Sequence, residues 1–144
     1  MNKRTIIILV LCAALIAVVA VISLRKDPGI SGLYLSDAPT FNDTVDTDRK
    51  SRAEFQSEGT DIFLIISIRD LSTEDEIEVS WTISGSGGTT IFQENTVSPN
   101  NPGSGEIIIY LLKRDMAYPE GDYTVEAVLN NSQKIKVGFT VTAR

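Results

Sequence analysis

Apolar side chains recur at every second position through most of the chain after Asp61. The clearest run places Ile62, Leu64, Ile66 and Ile68 on one side of an extended backbone. The same spacing recurs in four later stretches, residues 77–83, 107–111, 123–129 and 135–141. A period of two residues is typical of strands with one face on a core and one face toward solvent. The sequence therefore predicts a β-rich domain.

Turn-forming residues separate these stretches. Ser84–Gly88 is a flexible glycine-rich turn, and Asn130–Ser132 predicts a tight hairpin because asparagine tolerates a left-handed backbone. Weaker strands at residues 30–35 and 90–97 bring the predicted total to seven, and no later segment has a helical period. Short strands separated by turns favour an antiparallel sandwich or barrel.

The N-terminal residues have a different character. Residues 6–24 form an uncharged run with Lys3 and Arg4 before it and Arg25 and Lys26 after it. As a helix, this run would be about 28 Å long, close to the ~30 Å hydrocarbon layer of a bilayer. It predicts one transmembrane helix with the C-terminal domain outside the cytoplasm. The alternative is a cleaved signal peptide, which would leave a secreted protein.

Charge also differs between the N-terminal residues and the rest of the chain. Residues 27–144 carry nineteen acidic and nine basic side chains, a formal charge of −10. Such a domain repels nucleic acid phosphates, so a DNA-binding or RNA-binding role is excluded. The predicted organisation is an anchor or uncleaved signal at 1–26, a stalk, first strand and polar loop at 27–58, and the main β body at 59–144.

Two sequence features resemble those of immunoglobulin-like and fibronectin type III-like sandwich domains. Trp81 lies in the third predicted strand, and the sequence from Glu120 to Val125 opens the sixth with Tyr123 in the position of the tyrosine corner. Val125 stands where antibody domains have a disulfide cysteine. The resemblance covers residues 30–143 and implies a seven-strand antiparallel module with an adhesion, spacer or ligand-presenting role. Trp81 and Tyr123 are then structural residues.

Residue types that carry out most catalysis are scarce. The chain has no histidine, and its single cysteine, Cys12, lies in the apolar run. No motif for a cofactor is present, so we expect a protein that is not an enzyme and needs no cofactor. Asp43, Asp46 and Asp48 offer oxygen ligands for calcium in a polar loop, although their spacing is not that of an EF-hand. Solvated loop acids are the simpler interpretation.

Four apolar residues break the alternation by lying opposite the core positions: Phe63, Ile65, Ile108 and Tyr110. Either loops cover them, or they mark a surface for a protein partner. The leading hypothesis is a membrane-anchored extracytoplasmic module with a binding, adhesion or structural role. The alternatives are an exported enzyme or small-ligand-binding protein that uses loop carboxylates, and a subunit of a cell-envelope assembly.

Overall fold

A computed structural model describes residues 27–39 and 51–143 of the chain. This part is all β, with two sheets. Its strands are β1 (Gly29–Ser36), β2 (Glu54–Gln56), β3 (Phe63–Leu71), β4 (Ile77–Gly85), β5 (Gly88–Val97), β6 (Gly103–Tyr110), β7 (Gly121–Leu129) and β8 (Gln133–Thr142). The predicted transmembrane segment at 6–24 lies outside the described residues.

One sheet has the strand order β1-β3-β6, and the other has the order β2-β8-β7-β4-β5. Neighbouring strands are antiparallel except β2 and β8, which are parallel. Buried side chains from both sheets form one hydrophobic cluster. This arrangement is compatible with a β-sandwich.

The predicted orientation of the strands is confirmed where the alternation is strongest. Ile62, Leu64, Ile66 and Ile68 are all buried, and the alternating residues of β4 and β7 join them in the core. A shift of one residue would move each of these apolar sets to the opposite face, so the pattern specifies the register.

The strands differ from the prediction in number and in several boundaries. The described residues contain eight strands rather than seven, because the prediction lacks β2. β5 begins two residues earlier than expected, and β6 covers Gly103–Tyr110 rather than 107–111. Phe55 is the one buried residue of β2, so this short strand has no alternation to detect. Its position depends on distant contacts: Thr140 N donates to Ala53 O at 2.9 Å, and Ser57 N donates to Thr142 O at 2.9 Å.

The β7–β8 turn has the predicted backbone. Asn130 and Asn131 have φ angles of 47° and 56°, both in the left-handed region. Asn130 also holds the neighbouring β3–β4 loop, since its side-chain oxygen accepts from Glu76 N at 2.9 Å and its amide donates to Asp75 at 2.7 Å. The hairpin therefore closes one end of the domain.

Two glutamine side chains join the sheets at opposite edges. Gln133 of β8 accepts from Ile30 N and donates to Ile30 O, both at 2.8 Å. Gln93 of β5 donates to Tyr110 O at 3.1 Å and accepts from Leu112 N at 2.8 Å. Each side-chain amide satisfies backbone N–H and C=O groups at an edge of the three-stranded sheet, where a further strand would otherwise pair with them.

Candidate protein interaction surface

The outer face of the five-stranded sheet is mostly polar. The residues that alternate with its core positions include Glu78, Ser80, Thr82, Thr124, Glu126, Lys134, Lys136 and Thr140. Glu126 contacts Lys136 at 2.8 Å and Lys134 at 3.1 Å. Hydrogen bonds from Lys136 and then Lys134 lower the pKa of the Glu126 carboxyl. This face is an ordinary solvated surface.

The outer face of the three-stranded sheet is apolar over half its length. The register places Ile65 between Tyr34 and Ile108 in one cross-strand row. The next row places Phe63 between Ser36 and Tyr110. The structure thus brings together the four residues that the sequence analysis placed on a possible partner surface.

These four residues differ in exposure. Ile65 is buried, with 1% of its surface accessible, whereas Phe63 and Ile108 are half-buried and Tyr110 is 59% exposed. Ile65 is therefore covered by its neighbours, and Tyr110 is the residue of the four that is most accessible to a partner.

Gly32 makes room for part of this face. A Cβ atom at Gly32 would lie 2.6 Å from Tyr34 Oη, so the tyrosine ring lies directly against the glycine backbone. The tyrosine consequently covers the sheet next to Ile65, its partner across the strands.

The segment after β6, which contains a tight turn, adds two exposed apolar residues that the sequence analysis did not place on this surface. Leu112 is 55% exposed and Met116 is 88% exposed. Arg114 and Ala117 exchange backbone hydrogen bonds of 3.2 and 3.1 Å around the turn. Asp115 and Met116 between them have φ angles of 53° and 67°. Left-handed backbone at both central positions is typical of a type I′ turn, which glycine and asparagine usually form.

Charged side chains hold this segment against the body of the domain. Lys113 Nζ lies 2.8 Å from the Asp61 carboxylate, and this hydrogen bond raises the pKa of Lys113. The Arg114 guanidinium lies 4.4 Å from the Phe92 ring centroid and donates to Phe92 O at 3.0 Å. With the Gln93 contacts, these interactions fix the backbone from Tyr110 to Arg114.

The two predicted structural residues lie in the core. Trp81 is fully buried, and its indole Nε1 has no hydrogen-bond partner among the described residues. Its ring meets Phe139 edge-on, at 6.3 Å between centroids. Tyr123 stacks on the same phenylalanine at 4.9 Å and donates its hydroxyl to Pro119 O at 2.8 Å. Burial raises the pKa of Tyr123 to about 12.

Tyr118 has a larger hydrogen-bonding role than its sequence context indicates. Its hydroxyl accepts from Ile62 N at 3.2 Å and donates to Leu111 O at 3.0 Å. Burial is the main cause of its raised pKa. Tyr118 thus joins the segment after β6 to the start of β3, behind the apolar face.

The calcium candidates Asp43, Asp46 and Asp48 lie outside the described residues. Within residues 27–39 and 51–143, no three histidine, cysteine or acidic side chains cluster as metal ligands would. A depression of about 460 Å³ runs along β2, and its one acidic side chain is Glu54.

No helix in the described part of the chain has the length and apolar character needed to span a membrane. Comparison of the sequence with protein-family models and with curated proteins finds no match.

Proposed function

We propose that the chain is a membrane-anchored, extracytoplasmic immunoglobulin-like module with a binding role and no catalytic activity. The fold class is supported by the strand order. A three-stranded sheet of β1, β3 and β6 facing a sheet that contains β5, β4, β7 and β8 matches a fibronectin type III-like sandwich. The Tyr123 hydroxyl bonded to Pro119 O, four residues upstream, matches a tyrosine corner.

The anchor is supported by the uncharged run at 6–24, which precedes β1 with only a few residues between them. β1 begins beside Arg69 and ends beside Phe63. Its seven residue steps span roughly 20 Å at ~3.3 Å per residue. The row that contains Phe63 and Tyr110 therefore lies at the opposite end of β1 from its first residue, Gly29.

The observation that carries the binding role is the contrast between the two outer faces. Glu126 and its two lysines keep one face solvated, whereas Phe63, Ile108 and Tyr110 leave an apolar area on the other. A contiguous exposed apolar patch is a common mark of a protein interaction site. A subunit of an envelope assembly would use the same face.

Site-specific photocrosslinking in intact cells tests the binding role. A photoreactive amino acid replaces Tyr110, and the matched control replaces Thr124 on the outer face of the other sheet. We expect a discrete adduct of higher mass from position 110 and none from position 124. Equal adducts from both positions, or none from either, would contradict the proposal.

A further inference from the structure

Three of the four outer edges of the two sheets are blocked by the chain itself, among the residues that the structure describes. On β1 and β6, the blocks are the side-chain amides of Gln133 and Gln93 described above. On β2, Arg52 Nε donates to Glu54 O at 2.7 Å. Such contacts hinder the pairing of another strand with an exposed edge. The fourth edge, that of β5, lacks a block along its first residues.

The first part of β5 presents unpaired backbone groups. The turn between β4 and β5 has two residues, 86–87, so Gly85 and Gly88 close it as a hydrogen-bonded pair. Hydrogen-bonded and non-hydrogen-bonded pairs then alternate along an antiparallel ladder. Thr89 and Ile91 therefore direct their N–H and C=O groups away from β4. Within the described residues, no other strand, loop or side chain bonds to these groups.

This stretch is exposed on both faces and has defined limits. The four residues Gly88–Ile91 are all exposed, and we refer to them as the open edge. The next residue, Phe92, is buried, and Arg114 donates to its carbonyl oxygen at 3.0 Å. The open edge is therefore bounded by the β4–β5 turn on one side and by Arg114 on the other. It contains neither lysine nor proline, the residues that often protect an edge.

We propose that the open edge pairs antiparallel with the open edge of a second copy of the chain. Thr89 of one copy lies opposite the partner's Ile91, and a two-fold axis passes beside Thr90. Thr89 and Ile91 of each copy exchange four backbone hydrogen bonds with those of the other, so one surface supplies both sides of the contact. This surface is separate from the apolar face of the three-stranded sheet, so the inference goes beyond the binding role proposed above.

The limits of the open edge favour a second copy over a longer strand from another protein. In this register, Phe92 lies opposite the partner's Gly88, which has no side chain to collide with the Arg114 guanidinium. The partner's strand then ends in its own turn. A strand that continued past Phe92 would instead meet Arg114 and the segment after β6.

Charge permits this contact although the domain is acidic. Residues 88–93 carry no charge, so no like charges face each other across the paired strands. The remaining charges of the two copies are screened over about 8 Å at physiological ionic strength. The paired surface is small, and small interfaces are typical of weak, transient association. We therefore expect a dimer that forms only at high local concentration.

The two-fold axis specifies which cysteine should crosslink. Thr90 and the partner's Thr90 form a non-hydrogen-bonded pair, in which facing Cα atoms are about 4.5 Å apart. A disulfide needs about 4.4–6.8 Å between Cα atoms. Thr90→Cys is therefore introduced into a Cys12→Ser chain, and the matched control is Thr96→Cys, at an exposed position of the same strand outside the open edge. Full chains with two different tag lengths, at one copy per nanodisc, are mixed and oxidised with diamide.

We expect a hybrid disulfide dimer from position 90, with a yield that rises with concentration and is at least about tenfold that from position 96. Thr89→Pro removes an outward N–H from each copy and no bond to β4, so it should lower the yield from Thr90→Cys about tenfold. Thr96→Pro, in the same orientation outside the open edge, should leave that yield unchanged.

A second variant tests the open edge without a proline. Ile91→Lys places a charge on the edge and should lower the dimer yield as Thr89→Pro does. Urea unfolding followed by tryptophan fluorescence shows that each variant is folded.

Four results would overturn the proposal. They are equal yields from positions 90 and 96, equal losses in the two proline variants, a yield from position 90 that does not depend on concentration, and, in intact cells, an adduct of Thr90→Cys with a different protein in place of the dimer. Each concerns the open edge alone. Photocrosslinking at Tyr110 measures the apolar face, so failure of the dimer and failure of the proposed function are distinguishable.

Discussion

The side chain of Gln133 holds both backbone polar groups of Ile30, at 2.8 Å each, across 103 residues of sequence. Gly29 allows this approach, since a Cβ atom there would lie 2.5 Å from Gln133 Oε1. One amide thereby closes the edge of the three-stranded sheet against β8 and joins the first strand to the last.

Replacing this amide should destabilise the domain. Gln133→Ala leaves the N–H and C=O of Ile30 without their partner, so we expect the free energy of unfolding to fall by about 1–3 kcal/mol. Urea unfolding of the solubilised full chain, followed by fluorescence of its single tryptophan, Trp81, measures this change. The control Gln56→Ala alters an exposed side chain. Equal losses in the two variants would show that the contact is not important for stability.

The two buried tyrosines should differ in the cost of losing their hydroxyls. Tyr123→Phe removes one hydrogen bond, to Pro119 O, and should cost about 0.5–1.5 kcal/mol. Tyr118→Phe also leaves the buried Ile62 N–H unpaired, so its cost should be greater, about 1–3 kcal/mol. The same unfolding measurement compares them. The reverse order would contradict the roles assigned to these hydroxyls.

Low pH should destabilise the domain because it protonates two carboxylates that the folded state holds in their charged form. Hydrogen bonds from Ser72 N and then from Asn130 lower the pKa of Asp75 below 3.8, and Lys136 and Lys134 lower that of Glu126 below 4.5. The folded state therefore binds fewer protons than the unfolded state in this range. The stabilisation is complete above the unfolded pKa values and is lost as the pH falls through the folded values.

We therefore expect the unfolding free energy to decline between about pH 5 and pH 3. Asp75→Asn should lower stability at pH 7 and make the decline shallower. A slope identical to that of the unmodified chain would argue against the role of Asp75.

The left-handed backbone at Met116 should lower the stability of the domain. Met116→Gly relieves a left-handed residue and should stabilise the domain by about 0.5–1 kcal/mol, because the strain removed slightly exceeds the entropy cost of glycine. Met116→Ala removes the same side-chain contacts but keeps the strain, so it should bring no gain. The same unfolding measurement compares the two variants. A destabilised glycine variant would mean that the turn is not strained.

Much of the core was predictable because its information is local. Alternation placed Ile62, Leu64, Ile66 and Ile68 on the buried face, and paired asparagines specified the β7–β8 turn at Asn130. Trp81 and Tyr123 were also placed in the interior from their strands alone.

The features that were missed depend on distant partners or on unusual backbone. Phe55 is a single buried residue in a strand defined by its pairing with Val141, and nothing near Gln133 in the sequence indicates Ile30 as its partner. The turn at Asp115 and Met116 lacks the glycine or asparagine that normally signals a left-handed backbone. Leu112 and Met116 could be placed on the candidate surface only from the structure.

Labelling of an introduced cysteine tests the central claim, that the β domain is anchored and lies outside the cytoplasm. Ser86→Cys places a thiol in the exposed β4–β5 turn, and Cys12→Ser removes the native one. We predict that a membrane-impermeant maleimide labels intact cells as fully as lysed cells, and that the labelled full-length chain stays in the membrane pellet after carbonate extraction. Labelling only after lysis, or release of the chain by carbonate, would contradict the account.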